Sequence, residues 1–128
     1  MNILVCRWDI FVYPDILDTL KNQGHLFDVL DFSAIKMSDD EIKTFTKQLE
    51  CKITSKYDAV FSVNYFSYIA EVCHSLNIQY ICYNIDSPLL NMQHPSINYK
   101  TNHIYTVDSK EAKEFNNNGI GTVYYMPL

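Results

Sequence analysis

Apolar and polar positions along the chain fall into short β-rich runs that alternate with segments of helical period, the pattern of βαβ units stacked around a parallel sheet. The first strand is Asn2 to Cys6, an apolar run. The loop Arg7 to Tyr13 leads to a helix opening at Pro14, whose missing N–H costs nothing in a first helical turn. Ile16, Leu17 and Leu20 form its buried stripe, and Gly24 ends it. Leu26 to Phe32 is the second strand. Ser38-Asp39-Asp40-Glu41 spells a capping box, with acidic charge at the positive end of the helix dipole. Ile42, Phe45, Leu49 and Ile53 line one face of the helix that follows.

The run Asp58 to Val63 is nearly all apolar, as a strand covered on both faces requires, and is the third strand. A helix from about Phe66 to Leu76 turns Ile69, Val72, Cys73 and Leu76 inward, and Asn77 stops it in a left-handed conformation. Ile78 to Tyr83 is the fourth strand. The connection Asn84 to Asn102 is long for a βα loop, is broken by two prolines, and has room for a short helix. His103 to Val107 is the fifth strand, Asp108 caps a helix with Glu111 three residues on, and Thr122 to Met126 is the sixth. The expected architecture is a Rossmann-like, doubly wound parallel sheet in a three-layer sandwich, with the first strand central and strands in the order 3-2-1-4-5-6.

A chain of 128 residues holds one domain, and 48% hydrophobic against 20% charged residues is enough for a buried core. The net charge of −5 has the wrong sign for a protein that neutralises phosphates along nucleic acid. With glycine only at Gly24, Gly119 and Gly121, neither a dinucleotide fingerprint nor a P-loop can be written. No cofactor follows from any motif. Cys6, Cys51, Cys73 and Cys82 never form a C-x-x-C pair and read as reduced thiols, with Cys6 and Cys82 buried in strands. The four histidines are scattered, so no metal site is expected. The absence of a basic leader and of an apolar run of membrane-spanning length points to a cytoplasmic protein.

Open parallel sheets bind ligands beyond the carboxyl ends of their strands, near the point where strand order reverses. Residues at those ends are Arg7, Trp8 and Asp9 after the first strand, Asp31 and Phe32 after the second, Asn64 and Tyr65 after the third, Asn84, Asp86 and Ser87 after the fourth, and Asp108 after the fifth. Trp8, the only tryptophan, either floors a pocket for a sugar or base between two charges or covers the sheet edge while Arg7 pairs with Asp9 or Asp31. Asp86 is either a general base toward a hydroxyl or the start of an Asx turn before Ser87-Pro88. Asp31 stands where dinucleotide folds hold a ribose, and His94, in the long loop, is a ligand contact. Trp8, Asp9, Asn64, Asp86 and Ser87 are expected to converge in one cleft. A phosphoacceptor receiver domain is excluded, because the third strand ends Ser62-Val63-Asn64 and the fifth Thr106-Val107-Asp108, without the Asp and Lys such a site needs.

The run Asp58-Ala59-Val60-Phe61-Ser62-Val63-Asn64-Tyr65-Phe66, then Glu71-Val72-Cys73 leading to Ile78-Gln79-Tyr80-Ile81, then Asp86-Ser87-Pro88 and the closing Val123-Tyr124-Tyr125-Met126-Pro127-Leu128 resemble the N-terminal domain of bacterial spore-maturation-like glycosyltransferases. The resemblance implies the N-terminal, acceptor-side half of a two-domain GT-B fold, inactive alone. Its partners would be a C-terminal nucleotide-sugar-binding domain and a glycan or other acceptor, with transfer proceeding without a bound metal. It also implies Asp86 as catalytic base, while position at the strand ends and in the long loop makes Arg7, Trp8, Asp9, Asn64, Tyr65, Ser87 and His94 the expected substrate contacts. Arg7-Trp8-Asp9 replace the glycines that many GT-B proteins carry after the first strand. The alternative is a free-standing α/β ligand-binding or interaction module that keeps the fold without the chemistry.

Overall fold

Among the described residues, six strands and four α-helices form in the expected alternation: β1 (Asn2–Arg7), α1 (Tyr13–Asn22), β2 (Leu26–Asp31), α2 (Asp39–Lys52), β3 (Ala59–Val63), α3 (Ser67–Ser75), β4 (Gln79–Asn84), β5 (Asn102–Thr106), α4 (Ser109–Asn117) and β6 (Val123–Tyr125). These come from a computed structural model, which describes residues 1–87 and 89–127. Pro88 of the Asp-Ser-Pro run and the closing Leu128 lie outside the described residues. The long β4–β5 connection holds two short 3-10 helices, Leu90–Met92 and Pro95–Asn98.

Local signals set the helix boundaries. Ser38 caps α2 by accepting from the Glu41 N–H at 3.2 Å, while the Glu41 carboxylate reaches back to the Ser38 N–H at 3.4 Å. Asp108 caps α4 by accepting from the Lys110 and Glu111 amides. Gly24 at φ 82° and Asn77 at φ 53° take the left-handed turns after α1 and α3. Leu76, expected inward, is 44% exposed, because it sits at the C-cap of α3 where the chain has already left the helical stripe.

All six strands are parallel, in the order β2-β1-β3-β4-β5-β6, so the fold is α/β, Rossmann-like and doubly wound. This order corrects the expected 3-2-1-4-5-6, and the reason lies in two strand sequences. β2 carries Asp28 and Asp31 and is only half-buried, which suits an edge, whereas β3 buries Ala59, Val60, Ser62 and Val63 completely and needs a neighbour on each side. The chain therefore crosses over β1 through α2, and strand order reverses between β1 and β3.

With right-handed crossovers, the single step from β1 to β2 puts α1 on one face of the sheet, and the four steps in the other direction put α2, α3, the 3-10 segment and α4 on the opposite face. The core is deepest on that second face, where Leu4, Cys6, Val60, Tyr80, Cys82 and Ile104 pack under Leu49, Ile69 and Cys73. Cys6, Cys73 and Cys82 are buried free thiols, and Cys51 on α2 is exposed. Among the described residues no helix is long and apolar enough to cross a membrane, and no group of His, Cys, Asp and Glu is arranged to hold a metal ion.

Candidate functional site

The reversal of strand order opens a crevice between the carboxyl ends of β1 and β3, the usual ligand position in such a sheet. Here Trp8, from the loop after β1, and Tyr13, at the start of α1, close it. The Tyr13 hydroxyl donates to the Cys6 carbonyl at 2.8 Å and accepts from the Val63 N–H at 3.0 Å, tying β1 to β3 just past the end of their ladder. The Trp8 indole Nε1 donates to the Val63 carbonyl at 2.8 Å. Tyr13 is 1% and Trp8 8% exposed, so backbone groups freed by the splaying strands are satisfied from within. Burial pushes the Tyr13 phenol well above its ordinary range, and it remains a neutral bridge.

The open space lies to one side of this closure. A cleft of about 590 Å³ runs between the ends of β1 and β2 and the start of α1, walled by Trp8, Tyr13, Phe32, Pro14 and Leu17 and by the charged groups Arg7, Asp9, Asp18 and Asp31. The Arg7 guanidinium donates to both oxygens of Asp31, at 2.6 and 3.0 Å, and these bonds hold the Asp31 carboxyl below the usual carboxylate range. One cation thus faces three carboxylates and is committed to one of them. A smaller cleft, about 290 Å³, shares Trp8, Asp9 and Phe32 with the loop residues Ser33, Ala34, Ile35 and Lys36.

The remaining candidates form two further groups rather than joining this cleft. Asn64 is 4% exposed and left-handed at φ 64°. Its N–H donates to the Tyr83 carbonyl, its Oδ1 accepts from the Ile85 N–H at 3.0 Å, and its Nδ2 donates to an Asp86 oxygen at 2.7 Å. The exposed Asp86 carboxylate is therefore held in place beyond β4. A chain of bonds fixes the turn beneath it: the Phe66 N–H donates to the Tyr80 hydroxyl, Tyr80 to Ser62, and Ser62 to the Asn64 carbonyl. Ser87 turns the other way, its hydroxyl donating to Asp108 at 2.7 Å and to Glu111 at 3.2 Å. That hydroxyl, with the amides of the α4 cap, keeps the Asp108 carboxyl low.

Tyr65 and His94 meet away from the strand ends. Tyr65 is fully buried, and its hydroxyl donates to Ser96, which in turn donates to His94 Nδ1. The same Nδ1 accepts from the Ser96 N–H, so His94 caps the second 3-10 helix, and its Nε2 lies 3.6 Å from Glu71. Tyr65 and His94 therefore brace the long loop and offer nothing to the large cleft.

The single cleft expected for Trp8, Asp9, Asn64, Asp86 and Ser87 is thus divided: Arg7, Trp8 and Asp9 stand in one place, Asn64 and Asp86 in a second, and Ser87 in a third. Tyr13 and Asp18 were missed. The signal for Tyr13 was the lack of glycine after β1, which leaves room for a bulky side chain where a phosphate-binding turn would otherwise bring the backbone close.

No protein-family model and no curated protein matches the chain. Among solved structures, glycerol dehydrogenase from Schizosaccharomyces pombe is similar at a TM-score of 0.46 and 20% identity, over 65% of this chain and 22% of that one. The chain thus spans less than a quarter of that protein's length.

Proposed function

We propose that this chain is the acceptor-side domain of a nucleotide-sugar-dependent glycosyltransferase, with a hydroxyl-rich acceptor seated in the cleft over β1 and β2. The observation that carries the reading is the charge of that cleft. Asp9, Asp18 and Asp31 line it against Arg7 alone, so it repels a diphosphate, while its indole, phenyl and phenol surfaces and fixed carboxylates suit a neutral polyol. The β1–β3 crevice, where such sheets usually seat a nucleotide, is closed by Trp8 and Tyr13. The reaction class rests on the sequence resemblance, in which Asp86 is the base. Asp86 lies outside this cleft, beyond β4, where Asn64 holds its exposed carboxylate, so it serves as base only for an acceptor that extends from the cleft along the carboxyl edge past the Trp8–Tyr13 closure. A second domain, carrying the nucleotide sugar, would supply the opposite wall.

The test is a titration of Trp8 fluorescence in this chain with simple glycosides and with uridine diphosphate, joined to a transfer assay of the full-length gene product. Glycosides should perturb the indole and the diphosphate should not. This chain alone should show no turnover, because donor and acceptor cannot be brought together by one wall. In the full-length product, Asp86→Asn should lower kcat by about 10²- to 10⁴-fold with little change in KM for the acceptor. A response to the diphosphate but to no glycoside would overturn the acceptor reading. Glycoside binding with no transfer by the full-length product would leave a binding module without chemistry.

A further inference from the structure

The larger cleft has a neighbour of different chemistry. The smaller one, about 290 Å³, shares Trp8, Asp9 and Phe32 with it, so a molecule lying across these three residues reaches both. Beyond the shared wall the two linings part. The larger cleft adds the charged groups Arg7, Asp18 and Asp31, whereas the smaller adds Ser33, Ala34, Ile35 and Lys36 and no further carboxylate. In the smaller cleft Lys36 offsets the charge of Asp9, and a lysine lays its hydrocarbon stem on apolar surface while its ammonium stays in water.

The shared wall is held from behind. The Phe32 N–H donates to the Arg7 carbonyl at 2.9 Å, one residue beyond the β1–β2 ladder. The Phe32 ring stacks on Phe45 at 4.5 Å and meets Phe66 edge-on at 5.2 Å, and Phe66 meets Trp8 edge-on at 6.1 Å. With the indole bonded to the Val63 carbonyl, both aromatic surfaces are in place before a ligand arrives. The outer wall is a tight turn, closed by the Lys36 N–H on the Ser33 carbonyl at 3.3 Å. Its two central positions, where glycine, proline, asparagine and aspartate are usual, hold Ala34 and Ile35. Ile35 is 75% exposed and lines the cleft. Turn chemistry does not call for an isoleucine there, and contact with water disfavours it.

We propose, on the footing of the acceptor reading of the larger cleft, that the smaller cleft is a second subsite of the same acceptor and takes an apolar group carried by the sugar. The substrate class is then an amphiphilic glycoside. Three features select that occupant. The linings divide as such a molecule divides, with hydroxyls against the carboxylates of the larger cleft and hydrocarbon against Phe32, Ala34 and Ile35 in the smaller. The space is sufficient, since a cavity of about 150 Å³ takes up benzene and 290 Å³ admits a ring or a hexyl chain. Finally, a hydrocarbon group seated there covers Ile35 and removes from water an apolar side chain that the fold itself leaves bare.

The test titrates Trp8 fluorescence of this chain with methyl and hexyl glycosides of glucose, galactose and N-acetylglucosamine, and with hexanol alone. For at least one sugar the hexyl glycoside should bind about tenfold or more tightly than the methyl glycoside, and more tightly than hexanol. Ile35→Asp should abolish that difference. Ile35→Ser, which removes the apolar surface without adding charge, should act in the same direction and covers the case in which the aspartate disturbs the turn. Leu26→Ser, at a side chain 70% exposed but at the amino end of β2, should leave the difference as it is. Equal affinity for methyl and hexyl glycosides, with the indole responding to both, would overturn the subsite and leave the acceptor reading standing. A hexyl preference that survives both Ile35 substitutions, or that Leu26→Ser lowers as much, would put the chain elsewhere on the surface and overturn it too. So would hexanol binding as tightly as the hexyl glycoside, since the apolar site would then be unconnected to the sugar. No response to any of the glycosides would remove both readings together.

Discussion

Asn64 shows how one side chain can hold both the backbone and a candidate catalytic group. At φ 64° it occupies a region that costs most residues about 1–2 kcal/mol, and asparagine tolerates it better than others. Its amide then bonds the Ile85 N–H and Asp86, carrying the β3–β4 pairing past the last ladder residues. Asn64→Gly keeps the conformation and loses the amide bonds, whereas Asn64→Ala loses the bonds and adds strain. Urea denaturation should rank stability as Asn above Gly above Ala, with Ala costing about 2–3 kcal/mol. An alanine variant as stable as the glycine one would refute the conformational part. Sequence reading reached Asn64 and Trp8 as residues at strand ends but could not assign their bonds. The Trp8 indole ends on a carbonyl 55 residues away, and such a partner is fixed only when β1 and β3 become neighbours.

Elements whose ends are set by nearby side chains were the most legible. The capping box of α2, the Asp108 cap of α4 and the stop at Asn77 were all readable because donor and acceptor lie within a few residues of each other. Ser38→Ala removes the Oγ that accepts from the Glu41 N–H while the backbone N–H at position 38 still donates to the Glu41 carboxylate, and thermal melts should register a loss of about 1 kcal/mol. Glu41→Ala, which leaves the Ser38 oxygen on the Glu41 amide, should cost less. If both variants melted with the parent chain, the box would contribute nothing in solution. Strand order was read less well, since it depends on which side of β1 the second crossover lands. The clue was present in the carboxylates of β2, whose place at the edge decides the matter. The division of the site follows from the same error: with β3 beside β1, Trp8 and Tyr13 span the crevice that a ligand was expected to enter.

At the scale of the whole molecule, the buried polar core ties stability to alkaline pH. Burial first of all raises the thiols of Cys6, Cys73 and Cys82 above their ordinary value of 9.0, Cys73 to about 12. It likewise raises the phenols of Tyr13, Tyr65 and Tyr80 above 10.0, and each of these hydroxyls bridges two segments of the fold. The folded chain therefore holds these protons at a pH where the unfolded chain has released them. With the folded values raised, the unfolded state binds fewer protons above about pH 9, and stability falls as pH rises from there through the folded values. Below about pH 9 both states are protonated at these groups and the contribution is complete. Scanning calorimetry should accordingly find that these groups leave the melting temperature unchanged from neutral pH to about 9, with a decline that steepens beyond about 10 as phenols join thiols. Ultraviolet titration should show ionisation of the buried Tyr13, Tyr65 and Tyr80 coinciding with loss of the near-ultraviolet circular dichroism. Ionisation of all phenols in one step, with the fold intact, would mean that Tyr13, Tyr65 and Tyr80 are open to water and that the β1–β3 closure does not hold.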